Sequence, residues 1–204
     1  MTIFDFDGTL ITADSFPLFL RHAVGRWRTF LAFLRAAPEI IAWKRGKGTS
    51  SAAKERVFSN AFKGMPATKF ADAGAKFSDE IDKIVRPEMM RELAEAHERG
   101  DRTVIVSASI GEWIRPWASR HGFDRVIATE AEVGKDGILT GRFSTPNCHY
   151  EEKVTRLVKA FPEFASRFSG ESSTANHETI RAFGDSRGDD ALLAFADEGV
   201  KIKK

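Results

Sequence analysis

The sequence predicts an α/β protein: a parallel sheet with helices on both faces, interrupted by an inserted all-helical cap. Short apolar runs with strand character alternate with stretches of helical spacing, and one long interval near the amino terminus carries helical spacing alone. Strands are expected at Thr2–Phe6, Thr103–Val106, Val126–Ala128 and Ile180–Phe183, each closing on a polar or small residue where a loop can open. Between them, apolar residues recur at helical intervals: Ile114, Trp117 and Ala118; Val154, Leu157, Val158 and Phe161; Leu192, Leu193 and Ala196. Strands alternating with helices build βαβ units, and βαβ units build a parallel sheet.

From Asp14 to Arg99 the alternation stops. That interval reads as four or five consecutive amphipathic helices, punctuated by Pro17, Pro38, Pro66, Pro87, Gly46, Gly48 and Gly64. The expected division is a core of residues 1–13 and 100–204, with residues 14–99 as a helical cap over one end of the sheet. A short insert, Glu132–Gly141, alternates polar and apolar residues about Asp136-Gly137 and predicts a hairpin. Ser169–Asn176 is rich in small polar residues and reads as a surface loop.

Composition narrows the function. With 204 residues, 42% of them hydrophobic, the chain suits one compact unit with an insertion, not a disordered or repetitive one. Cys148 is the single cysteine, which excludes an intramolecular disulfide framework and a cysteine-built zinc site. A net charge of +2 gives no reason to expect a nucleic-acid partner. Met1-Thr2 runs straight into Ile3-Phe4 without a basic leader, so a cytoplasmic location is expected. The greasiest stretch, Phe30–Trp43, is broken by Arg35, Pro38 and Glu39 and falls short of the roughly 20 apolar residues that span a bilayer.

The first strand ends in Phe4-Asp5-Phe6-Asp7-Gly8-Thr9-Leu10. Side chains alternate along a strand, so Asp5 and Asp7 point to the same side and can converge on one site. Two carboxylates that close repel, and a hard divalent cation with oxygen ligands, Mg²⁺ above all, compensates them. Read alone, the pair could equally be a solvated strand end. The last predicted strand runs into Gly184-Asp185-Ser186-Arg187-Gly188-Asp189-Asp190, which puts Asp185 at a strand's carboxyl end and Asp189 at a helix start. Either Asp189 or Asp190 could simply cap that helix. Taken with Asp5 and Asp7, however, these acids gather at one edge of a parallel sheet, where they require a cation.

Two further positions fit an anion. The second strand closes on Ser107-Ala108-Ser109, a hydroxyl and small residues whose amides can donate to a phosphate, with a helix starting near Gly111. Lys153 stands in the first turn of a predicted helix, where its charge opposes the dipole; that placement singles it out from an ordinary surface lysine.

In this order the motifs resemble those of the haloacid dehalogenase superfamily of phosphohydrolases: Asp-x-Asp-Gly-Thr-Leu, a strand ending in Ser, a Lys, then Gly-Asp-Ser-x-Gly-Asp. Val106-Ser107-Ala108-Ser109, the segment Asn147–Val154 and Gly184–Asp189 are similar to the phosphoserine-phosphatase-like branch, whose helical cap lies between the first and second motifs. The resemblance covers essentially the whole chain and implies a Rossmann-like core. It implies that Asp5 is the nucleophile forming an aspartyl-phosphate and that Asp7 is the acid/base. Mg²⁺ would be held by Asp5, the Asp7 backbone carbonyl and Asp185, with Asp189 in support, while Ser107 and Lys153 bind the phosphoryl group. Asp189 is preferred to Asp190 because it keeps the family's spacing from Asp185. Asp14 stands where phosphoserine phosphatases carry an acid that meets the substrate amine.

The expected activity is thus Mg²⁺-dependent hydrolysis of a phosphomonoester, on a small or lipid-linked phosphate. Two alternatives are a phosphotransferase or phosphomutase using the same aspartyl-phosphate, and a non-catalytic membrane-surface binding protein on this fold. The cap bears on this choice, because Asp14 to Lys63 carries ten Lys and Arg against three acids, interleaved with Phe16, Phe19, Trp27, Phe30, Phe33 and Trp43. Those aromatics could form a basic face that contacts membrane peripherally. The preferred expectation is plainer: they are the core of the cap bundle.

Overall fold

The computed structural model describes residues 1–165 and 178–203, so the loop expected at Ser169–Asn176 lies outside the described residues. Strands β1 (Thr2–Phe4), β2 (Thr103–Ile110) and β3 (Arg125–Thr129) join β6 (Arg181–Gly184) and β7 (Glu198–Lys201) in one parallel sheet. The order is β3-β2-β1-β6-β7, with β1 in the centre and Phe4 aligned with Ile105 on one side and Phe183 on the other. Strand order reverses beside β1, which opens a crevice at the carboxyl ends of β1, β2 and β6, where ligands of such sheets bind. A hairpin of β4 (Ala131–Val133) and β5 (Leu139–Phe143) turns through Gly137 at φ 75°, at the predicted Asp-Gly pair.

Five helices separate β1 from β2: α1 (Ser15–Arg35), α2 (Ala37–Lys44), α3 (Ser50–Phe62), α4 (Ala67–Asp82) and α5 (Pro87–Glu98). Local chemistry explains their ends. Asp14 caps α1 by accepting from the Phe16 amide, Thr49 caps α3 through the Ala52 amide, and Pro87 opens α5 where no amide partner is needed. Gly25 breaks α1 with φ 81° and ψ 165°, a backbone region open essentially to glycine alone. Among the described residues the remaining α-helices are α6 (Gly111–Arg120), α7 (Glu151–Ala160) and α8 (Asp190–Phe195).

Alternation along β1 splits the core in two. Ile3 joins Val104, Val106, Ile127, Leu157, Ile180 and Leu192 on one face of the sheet. Phe4 faces the other way, into a cluster that continues without interruption into the helical segment through Trp113, Trp117, Phe19, Phe62, Phe70 and Phe77. Phe19 of α1 stacks on Trp113 of α6 with ring centroids 4.3 Å apart, a contact worth about 1 kcal/mol beyond its burial. α4 also lies along α6, and α3 lies along β5, so the helices are anchored at two places. α5 packs instead against β2 and sends Met89 and Leu93 into the sheet-side core.

Three strands depart from expectation. β1 stops at Phe4 rather than Phe6, which leaves Asp5 and Asp7 in the loop beyond it. β2 pairs as far as Ile110, after a register shift between Ser107 and Ile110, because its small residues allow the strand to bulge rather than stop. β7 was not expected: Glu198-Gly199-Val200-Lys201 has one apolar residue and pairs only at the sheet's edge. Its Gly199 is required there, since a Cβ would collide with the Leu193 carbonyl.

Candidate active site

Parallel pairing of β1 with β2 and β6 brings Asp5, Val106, Ser107 and Asp185 to one end of the sheet. Lys153, from the first turn of α7, reaches the same point. Its Nζ lies 2.6 Å from Asp5 Oδ1, 2.6 Å from Asp189 Oδ1 and 2.9 Å from the Val106 carbonyl oxygen, and the side chain is only 2% exposed. The helix is started for it by Tyr150, which sits at φ 52° with its amide donating to the Gly188 carbonyl. That strained position ties α7 to the Asp185–Asp189 loop.

The two acids that share this lysine behave differently. Burial raises the Asp5 carboxyl to about 7, with Lys153 pulling against it and Asp189 adding to it. Burial also acts on Asp189, but Lys153 and the Ser186 amide and hydroxyl outweigh it and hold that carboxyl below its ordinary value. Among the described residues Asp5 has no amide donor of this kind, and its second oxygen accepts from Thr9 Oγ1 at 3.2 Å. For Lys153, burial disfavours the charge, yet Asp5 and Asp189 together keep it ionised well above its usual range.

Asp7 is held from two sides: Oδ1 accepts from the Ser15 amide at 2.7 Å and Oδ2 accepts from the Ser109 hydroxyl. Behind them the Ser15 and Ser109 hydroxyls meet at 3.1 Å, and Trp113 Nε1 donates to Ser15 Oγ. Burial first, then the charge of Asp14, raises the Asp7 carboxyl. Ser107 is buried, and its hydroxyl accepts from the Ser109 amide at 3.0 Å. Asp190 is exposed and paired with Lys201 at 2.6 Å, away from the other acids.

Asp5, Asp185 and Asp189 can each turn one carboxylate oxygen to within 4.8 Å of the others, an all-oxygen donor set that suits a hard divalent cation. Gly8 makes room for it: at φ 80°, a Cβ there would collide with the Asp185 carboxylate. Above these groups opens a cleft of about 720 Å³. Asp7, Asp185 and Lys54 line its floor, with Asp14 beside them.

Lys54 is a residue that sequence reasoning missed. It comes from α3, donates to the Ala108 carbonyl at 2.8 Å and lies over the Phe16 ring. Burial lowers its pKa against the opposing pull of Asp7 and Asp14. Ten basic residues share the Asp14–Lys63 interval, and nothing in their spacing marks this one as facing the acids.

A lysine bridge and clustered acids thus stand at the switch point of a parallel sheet. The sequence profile of the haloacid dehalogenase-like hydrolases matches residues 2–194, and the chain belongs to that family. Protein CicA of Caulobacter vibrioides is 32% identical over 208 aligned positions, covering 99% of this chain and 86% of that protein. Histidinol-phosphatase of Neisseria meningitidis is 32% identical over 116 positions, 56% of this chain and 49% of that one. Among solved structures, a Bordetella pertussis protein of unknown function aligns with a TM-score of 0.72 at 22% identity, over 96% of this chain and 86% of that one. A phospho-aspartyl intermediate analogue of phosphoserine phosphatase aligns at 0.59 and 22%, over 99% and 84%. These structural likenesses concern the fold.

Proposed function

We propose that the protein is a Mg²⁺-dependent phosphomonoesterase that works through an aspartyl-phosphate on Asp5. The observation that carries this reading is the Lys153 bridge between Asp5 and Asp189, which sets an ammonium against the buried Asp5 carboxyl and offsets part of the burial that disfavours its charge. Its relatives' names, histidinol-phosphatase and phosphoserine phosphatase, support a phosphomonoester as the substrate.

Asp5 attacks phosphorus through a carboxylate oxygen, and the bond to the ester oxygen breaks. Asp7, whose pKa is raised by burial and Asp14, carries the proton that the departing alkoxide needs. In the second half Asp7 takes a proton from water as the water oxygen attacks phosphorus, which frees phosphate and restores the Asp5 carboxylate. Ser15 and Ser109 fix Asp7 for both transfers. Lys153 neutralises the nucleophile and the incoming phosphate, Ser107 and the neighbouring amides receive phosphoryl oxygens, and Lys54 meets the substrate from α3. Bound by Asp5, Asp185 and the Asp7 carbonyl, Mg²⁺ would supply the charge stabilisation that phosphoryl transfer chiefly requires. Asp189 serves by holding Lys153.

The test is phosphate release from p-nitrophenyl phosphate with acid-quench mass spectrometry. Wild type should release phosphate only with Mg²⁺, Asp5→Asn should release none, and Asp7→Asn should retain a phosphoryl group on the peptide containing Asp5. An Asp5→Asn protein that keeps wild-type turnover would end the proposal.

A further inference from the structure

The six aromatics of the basic interval do not share one fate. Phe16 and Phe19 are buried, as a bundle core requires, but Trp27 is 71% exposed, Phe30 54% and Trp43 44%. The expectation that all six form the core is corrected here: beyond the Gly25 break, α1 turns Trp27, Phe30 and Leu34 outward at positions i, i+3 and i+7, one face of a helix. α2 follows after the single residue Ala36, and although it reads Ile40-Ile41-Ala42-Trp43, it has no buried residue at all. Around these two helices stand Arg26, Arg28, Arg35, Lys44, Arg45 and Lys47, all exposed. Glu39, the acid on this stretch, is already paired with Arg56 at 2.7 Å.

The same helices wall the cleft. Phe16, Phe33, Ile40, Trp43 and Val57 line its upper part, and Trp43 is at once wall and exposed surface. The cavity therefore runs from Asp7 and Asp185, between apolar walls, out towards the aromatic and basic face. A short polar ester leaves those walls bare, whereas an apolar chain covers them. The charge on the face complements an anionic surface rather than another basic chain of its own kind.

We infer that the outer half of α1 and α2 dock on an anionic lipid membrane, so that the cleft receives a phosphomonoester headgroup whose apolar chain lies against Phe33, Ile40 and Trp43. The substrate part of this inference rests on the phosphatase reading; the docking part does not. No described helix is long and apolar enough to cross a membrane, so the contact is peripheral.

The experiment has two arms. In the first, the full chain is sedimented with vesicles of phosphatidylcholine alone or of phosphatidylcholine with phosphatidylglycerol. Binding is expected to the mixed vesicles only, weakened by salt and lost in Trp27→Asp/Phe30→Asp, while that variant hydrolyses p-nitrophenyl phosphate like wild type. In the second, turnover of vesicle-borne phosphatidic acid is compared with glycerol 3-phosphate, and the lipid should be favoured by at least about tenfold in kcat/KM, the worth of a few buried methylenes. No binding to anionic vesicles overturns the docking surface, as does a wild-type dimer that Trp27→Asp/Phe30→Asp makes monomeric, which would give the face to a second copy. Asp5-dependent hydrolysis without preference for the lipid overturns the substrate class alone. Vesicle binding without hydrolysis of any ester would sink the phosphatase reading and leave the surface standing.

Discussion

Lys153→Met removes the ammonium that Asp5 and Asp189 share while keeping an unbranched chain of similar length. Taking one partner from a buried ion pair costs about 3–5 kcal/mol, because the other charge stays behind. Here two carboxylates stay behind, but not equally. Asp5, already raised to about 7, escapes most of the penalty by taking a proton, whereas Asp189 is held ionised by Ser186 and cannot. The expected loss is therefore about 3 kcal/mol at pH 8 in chelator, and clearly less at pH 5, where a protonated Asp5 needs no counter-charge. Added Mg²⁺ should narrow the gap, since a site freed of a competing cation binds the ion more tightly; a hundredfold excess over Kd stabilises by about 2.7 kcal/mol. Urea unfolding at both pH values, with and without the ion, reads all of this, and turnover should fall at least about a hundredfold. A gap that ignores both pH and Mg²⁺ would mean that Lys153 contributes packing rather than charge.

Other perturbations have equally definite outcomes. Gly8→Ala forces a Cβ into the Asp185 carboxylate at a backbone angle costly for alanine, so Mg²⁺ affinity and turnover should both fall, with about 1–3 kcal/mol lost in denaturation. Asp190→Asn should change little, since its exposed pair with Lys201 is worth at most about 1 kcal/mol, whereas Asp189→Asn should lower kcat by loosening Lys153; equal effects would refute the distinction. Lys54→Met should raise KM more than it lowers kcat, and a pure kcat effect in steady-state assays would exclude a role in substrate binding. Glu112 offers a test outside the site. Burial raises it to about 7 from 4.5, and one of its oxygens is buried without a hydrogen-bond partner among the described residues. The fold favours its protonated form, so its contribution is full below pH 4.5 and lost as pH rises through 7. Glu112→Gln should gain on wild type by up to about 3 kcal/mol above that range and show no advantage below pH 4.5; a pH-independent difference would refute the assignment.

How far the sequence was legible depended on whether a residue's role is local. Asp5, Asp7, Asp185 and Asp189 sit in short strand-to-loop turns whose spacing carries their meaning, and the sheet brings Asp5, Asp185 and Asp189 together. Lys153 announced itself by standing at the wrong end of a helix. Lys54 could not, because its importance comes from α3 leaning over β2, a tertiary fact with no periodic trace. β7 was missed for a related reason: an edge strand needs few apolar residues, so Glu198–Lys201 has no alternation to read. The cap aromatics show the limit most clearly. Helical spacing alone predicts an apolar face without saying whether protein covers it, and only the break at Gly25 and the lack of burial in α2 separate core from surface.

The central position of β1 bears on how this protein becomes active as it is made. Thr2 pairs with Thr103 on one edge and with Arg181 on the other, so the innermost strand is completed by a segment far along the chain. Such non-local pairing is slow, because a long loop must close before any contact rewards it. Asp5 and Asp7 are synthesised well before Lys153, Asp185 and Asp189, and the four acids cannot gather until β6 and the loop after it have emerged. The acidic cluster thus forms late, and a chain interrupted before β6 carries Asp5 and Asp7 without Asp185 and Asp189.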